Sequence, residues 1–234
     1  MCNVCPVGPS RRSVLVGGLG ILGAARSVGT AHSQPTRAAD TPDEALKLLL
    51  DGNARYASNQ MNERDYSATR AARAQGQAPF AAILGCADSR VAPELAFDQV
   101  PGDLFVVRVA GNFMTPDGLA SLEYGAAVLG TKVIMVLGHT SCGAVNATIG
   151  ALQKGNDLPG HIADLVRAMK PGIEPTLKEP GNDLPQRAVI ANVRSNVQRL
   201  TEAKPILADM VTGGKLRIVG GVYDLATGKG HRAN

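Results

Sequence analysis

Lys132-Val133-Ile134-Met135-Val136-Leu137-Gly138 is an apolar run with no polar residue alternating through it. A strand with one wet face alternates polar and apolar side chains. A continuous run reads instead as a strand covered on both faces, which points to a parallel sheet. Three further runs share this character: Phe80-Ala81-Ala82-Ile83-Leu84-Gly85, Leu104-Phe105-Val106-Val107, and Leu216-Arg217-Ile218-Val219-Gly220-Gly221-Val222-Tyr223. Helical patterns fall at 119–129, 144–152 and 189–203. This β-α alternation predicts an α/β sheet with right-handed crossovers. Residues 155–185 are rich in Pro and Gly and read as a helix-poor connection.

Working outward, Thr41-Pro42-Asp43-Glu44 starts a helix: a capping residue, Pro at the first helical position and acids in the first turn. Ala45, Leu48, Leu49 and Gly52 give that helix one apolar stripe. A second, Ala/Arg-rich helix is expected at 67–75. No strand adjoins either helix in sequence, so both are expected to pack on another subunit.

The chain has 234 residues, 44% of them hydrophobic and 19% charged. That length suits one α/β domain or two small ones. A domain of ~200 residues buries roughly 70% of its extended-chain surface, so the core needs neither a disulfide nor a structural metal. The charged fraction argues against wholesale disorder. Four Cys in so long a chain are no disulfide framework. No apolar run approaches the ~18 residues of a membrane-spanning helix, which excludes a multi-spanning membrane protein.

The net charge of +4 belongs mainly to the N-terminus. Residues 1–33 hold Arg11, Arg12 and Arg26 and no acid; taking those three from the 24 basic residues leaves 21 against 20 acidic, a net of +1. No nucleic-acid partner is inferred. Ser10-Arg11-Arg12-Ser13-Val14-Leu15, a weakly apolar stretch to Ala25, and small residues Ala31 and Ser33 together form the layout of a twin-arginine export signal. Residues 1–33 therefore read as a signal, 34–41 as a linker and 42–234 as the catalytic domain. The exported product is expected in the periplasm, with no stable membrane anchor after cleavage. Cys2 and Cys5 lie in the segment expected to be lost. The G-x-G-x-x-G at Gly18–Gly23 follows no strand and is better explained as a signal core than as a nucleotide loop.

In an open α/β sheet, ligands bind beyond the carboxyl ends of strands. The run at 80–85 is followed by Cys86-Ala87-Asp88-Ser89-Arg90, and the run at 132–138 by His139-Thr140-Ser141-Cys142-Gly143. Cys86 and Cys142 are the only cysteines outside the signal. Two sulfurs and an imidazole, with Asp88 available as a fourth donor, suit zinc. The rival is a Cys86–Cys142 disulfide, since an exported protein meets an oxidising compartment. It leaves Asp88, Arg90 and His139 unexplained.

These motifs resemble those of the β-class carbonic anhydrases. So do Pro101-Gly102-Asp103, Phe105-Val106-Val107-Arg108, Ala110-Gly111-Asn112, Ser121-Leu122-Glu123-Tyr124-Gly125-Ala126, Asn192-Val193-Arg194 and Gly221-Val222-Tyr223-Asp224. The resemblance covers nearly all of residues 42–230. It implies a four-stranded, mainly parallel sheet flanked by helices, a homodimer or higher even oligomer that swaps N-terminal helices, and reversible hydration of CO2 to bicarbonate and a proton by zinc-bound hydroxide. It implies one Zn2+ per subunit on Cys86, His139 and Cys142. Asp88 either joins the metal in a closed state or pairs with Arg90, which holds it ionised and fixed. Matching substrate-pocket positions are Phe105, Ala110, Tyr124 and Gly143, with Gln77 reaching across a subunit interface. Ala110 stands where plant-like members commonly carry Val. A noncatalytic bicarbonate site found in one branch matches at Arg108 and Tyr223, but Ile83 stands where that branch has Trp. Two alternatives remain at this stage: a hydrolase of carbonyl sulfide or carbon disulfide on the same ligands, and a zinc-binding protein without turnover.

Overall fold

The computed structural model of the chain describes residues 38–155 and 158–233. The export-signal reading, Cys2, Cys5 and the glycines at 18–23 lie outside the described residues.

The four apolar runs form β1 (Ala81–Gly85), β2 (Leu104–Arg108), β3 (Val133–His139) and β4 (Arg217–Tyr223). They pair in parallel in the order β2-β1-β3-β4. Every residue of β1 and β3 is buried, which explains their lack of alternation. A fifth strand, β5 (Gly230–Arg232), adds antiparallel to β4, so the sheet has five strands rather than four. Its cause is local. The Asp224 carboxylate accepts the backbone N–H groups of Ala226 and Thr227 at 2.7 and 3.0 Å, and the turn brings the chain back along β4.

Successive side chains of a strand face opposite ways, so the sheet has two cores. Ala82, Leu84, Ile134, Val136 and Val222 face α4 (Pro116–Ala127), α5 (Gly143–Lys154), α6 (Ile162–Ile173), α7 (Leu184–Thr201) and α8 (Ile206–Thr212). Ala81, Ile83, Val133, Met135 and Leu137 face the other core, with α1 (Pro42–Ala57) and the short α3 (Pro93–Ala96). The expected helix at 67–75 is a single turn, α2 (Arg70–Arg73).

Two expectations need correction. The 155–185 connection is not helix-poor: α6 lies within it, followed by a 3-10 turn at Glu174–Leu177. Met169 and Ile173 of α6 are buried four residues apart, and Pro171 falls only in its last turn. Nor does the apolar stripe of α1 await another subunit. Ala45, Leu46 and Leu49 pack on the chain's own sheet. Thr41 and Glu44 form a reciprocal capping box at its start. The side-chain amide of Asn53 donates to the carbonyls of Ala96 and Gly228, at 2.9 Å each.

The fit of α1 depends on Gly52, where an added Cβ would stand 1.8 Å from the carbonyl oxygen of Phe97. That neighbour is backbone and cannot swing aside. Gly52→Ala is expected to lower the unfolding free energy by ~1–3 kcal/mol, the usual cost of overpacking. Urea titration followed by circular dichroism measures it, with the exposed Asp51→Ala expected to change it far less.

Candidate metal centre

Adjacent parallel strands end side by side, and Gly85 of β1 pairs with Leu137 of β3. Cys86 and His139 therefore leave the sheet at the same end, and the loop after β3 returns Cys142 to them. The two sulfurs and a ring nitrogen of His139 all lie within 4.8 Å of one another, and all three residues are buried. No disulfide joins the cysteines.

His139 Nδ1 lies 2.9 Å from the Thr140 carbonyl oxygen, a geometry that places the proton on Nδ1 and leaves Nε2 as the basic nitrogen. Nε2 is buried with no hydrogen-bond partner. A buried acceptor beside two sulfurs fits a metal cation. The sulfurs agree. The Cys86 thiol is pulled down, chiefly by its interaction with Cys142, with His139 and the Gly111 N–H also contributing. The Cys142 thiol is correspondingly pushed up, chiefly by its bond to Cys86. One negative charge is readily held, and the second needs a cation. Cys142 is also the N-cap of the twelve-residue α5, whose first N–H groups favour a thiolate there.

Asp88 stands at the edge of this cluster. Arg90 grips it as a fork, Nε to Oδ1 at 2.9 Å and Nη2 to Oδ2 at 2.7 Å, and the Arg90 backbone N–H adds a bond to Oδ1 at 3.0 Å. Those Arg90 hydrogen bonds hold the carboxyl well below the usual carboxylate range. Oδ2 is 3.7 Å from His139 Nε2. The structure thus shows the arrangement in which Asp88 pairs with Arg90.

Arg108 holds the loop that carries these groups. Its Nε donates to the Cys86 carbonyl at 2.8 Å, and its Nη2 to the carbonyls of Asp88 and Val91 at 2.7 and 2.9 Å. The sequence reading matched Arg108 only to a bicarbonate site. Its register opposite Gly85, which the sequence does not show, is what brings it to these carbonyls. The remaining groups of that bicarbonate pattern are also engaged: Ile83 is fully buried, and the Tyr223 hydroxyl donates to that of Tyr56 at 3.2 Å.

The substrate-pocket residues divide. Ala110 precedes Gly111, whose N–H reaches the Cys86 sulfur at 3.2 Å, and Gly143 follows Cys142, so both adjoin the cluster. Phe105 pairs across the sheet with Ala82, four residues before Cys86, or roughly 13 Å back along the strand. Tyr124 packs against Phe105, with ring centroids 6.3 Å apart, and is 48% exposed. Gln77 precedes the opposite, N-terminal end of β1. One chain alone does not bring Gln77, Phe105 and Tyr124 to the cluster.

Among the described residues, no helix is long and apolar enough to cross a membrane.

The carbonic anhydrase family model matches residues 81–230. Carbonic anhydrase 2 of Mycobacterium tuberculosis is 39% identical over 189 residues, covering 80% of this chain and 91% of that protein. The carbonic anhydrase of Mycolicibacterium smegmatis is 40% identical over 189 residues, with the same coverage. The solved structure of a Coccomyxa β-carbonic anhydrase in complex with acetazolamide aligns with a TM-score of 0.64 at 29% identity, covering 80% of this chain and 85% of that one. Sheet order, strand-end donors and sequence similarity thus converge: the chain belongs to the β-class carbonic anhydrase family.

Proposed function

We propose that the chain is a zinc enzyme that hydrates CO2 reversibly to bicarbonate and a proton. The observation that carries this reading is the triad of Cys86, His139 and Cys142, their donor atoms within 4.8 Å of one another, beside the Asp88–Arg90 pair. Two sulfurs and one imidazole suit zinc, and they leave a fourth position for solvent. When bound, zinc supplies the Lewis acidity that ionises water near neutral pH and so provides a nucleophile for carbon. Asp88, held at the edge of the triad, would accept a hydrogen bond from the attacking oxygen and orient it toward CO2. Arg90 keeps Asp88 ionised and fixed. Ala110 lines a narrow apolar approach suited to a small uncharged substrate, and the Gly143 N–H donates to a substrate oxygen.

Gln77, Phe105 and Tyr124 belong to this pocket as contributions from a second copy of the chain. Their place on one protomer, away from its own cluster and partly exposed, supports a homodimer with pockets at the interface. We also propose that residues 1–33 direct export by the twin-arginine route, with residues 42–234 as the catalytic unit in the periplasm. That route carries folded proteins, so zinc is loaded before the thiols meet an oxidising compartment.

The test pairs a zinc assay with stopped-flow CO2 hydration from pH 6.5 to 9. About one zinc per chain and turnover that rises with pH are expected; zinc-replete protein without turnover at the alkaline end rejects the reading. The pH dependence has a defined sign. The depressed pKa of Asp88 means that its pair with Arg90 is intact above the ordinary carboxylate pKa of ~3.9 and is lost only as pH falls below it. Asp88 therefore does not titrate in this window. Asp88→Asn is expected to lower the alkaline plateau and leave a rising profile.

A further inference from the structure

Asn192 and Asn196 on α7 are 1% and 2% exposed, on a helix face that otherwise buries Ala188, Val189, Val193 and Leu200. Amides cost free energy in such a place unless every polar atom is used. Here they link in series. The Asn196 Oδ1 accepts the Met114 N–H at 2.8 Å, and its Nδ2 donates to the Asn192 carbonyl at 2.8 Å and to the Asn192 Oδ1 at 3.3 Å. The Asn192 Nδ2 donates to the Gly111 carbonyl at 2.8 Å. Gly111 in turn donates its N–H to the Cys86 sulfur at 3.2 Å.

Gly111 occupies a backbone conformation and a space that favour glycine. Its φ is +87°, and an added Cβ would stand 2.4 Å from the Met169 sulfur. Both of its backbone polar groups are committed, one to a sulfur and one to α7. We propose that Asn192 is a positioning residue for the metal: it holds the Gly111 peptide so that its N–H points at Cys86, and Asn196 fixes Asn192 in turn. An N–H donated to a thiolate draws charge off the sulfur. In a site where two thiolates cancel the charge of a divalent ion, that withdrawal preserves the ion's acidity. Partners of this kind behind a ligand are worth about 10–100-fold in metal affinity or activity.

This inference rests on Cys86 being a metal ligand, and the experiment separates the two claims. Wild type, Asn192→Leu, Asn196→Asp and Leu200→Ala are loaded with cobalt(II), and the sulfur-to-cobalt charge-transfer band is recorded. Zinc release to a chelator is timed in parallel. Asn192→Leu keeps the volume and removes the donor. Asn196→Asp keeps the acceptor for Met114 and removes the donor to Asn192. Leu200→Ala weakens the same helix away from Gly111 and controls for lost stability.

In the two Asn variants the band is expected to move to longer wavelength, with zinc release about tenfold or more faster. In Leu200→Ala the band stays in place. An unmoved band in folded Asn192→Leu, or an equal shift in Leu200→Ala, overturns the positioning role and leaves the metal site standing. A wild-type protein with no such band overturns the metal reading and this inference together.

Discussion

Cys142→Ala is expected to lose its metal, and CO2 hydration is expected to fall to the uncatalysed background. Zinc held by cysteine and histidine binds with ~10–16 kcal/mol in small folded modules. One donor of the four in such a module therefore accounts for about 2.5–4 kcal/mol, or roughly a hundredfold to a thousandfold in affinity. The loss here extends beyond the sulfur. Cys142 lies within 4.8 Å of Cys86 and favours the ionised form of that thiol, so one change also alters the setting of a second donor. Atomic absorption on the purified protein, with a zinc competition titration, measures the affinity. Metal content equal to wild type, with activity retained, removes Cys142 from the site.

Asp88→Asn addresses orientation rather than metal binding. The substitution keeps the size of the side chain, removes its charge and turns one accepting oxygen into a donor. Arg90 then loses the carboxylate it grips through both Nε and Nη2. Activity is expected to fall by about a hundredfold or more, in the range found when a positioned proton acceptor is removed. Zinc content is expected to stay near one per chain. Equal losses of zinc and turnover would show Asp88 to be a ligand rather than an orienting group.

The parts of this molecule written plainly in its sequence are those fixed by local pattern. Strands β1 and β3 are sealed on both faces, so their side chains do not alternate. Cys86, His139 and Cys142 sit where strands end, and strand ends are where such a sheet presents chemistry. Other features depend on distant partners. The stripe of α1 announces that something covers it, yet only the fold shows that the cover is the chain's own sheet. Helix α6 was hidden by the Pro and Gly counted around it, though its apolar residues recur at helical spacing. Strand β5 has three residues, too few for a pattern. Arg108, Asn192 and Asn196 act on backbone carbonyls and amides, which carry no sequence label, so spacing could not reveal their tasks. Gln77, Phe105 and Tyr124 were legible only through resemblance, because their place at the far end of β1 and on β2 and α4 carries no local mark of chemistry.

The double-sided burial of β1 and β3 also bears on what holds the enzyme's shape. The platform that carries the three donors owes its rigidity to hydrocarbon packing, in contrast to miniature zinc modules that melt when their ion is stripped. A strong chelator is therefore expected to yield a quiescent but intact protein, with its far-ultraviolet spectrum preserved and its catalysis restored on readdition of the ion.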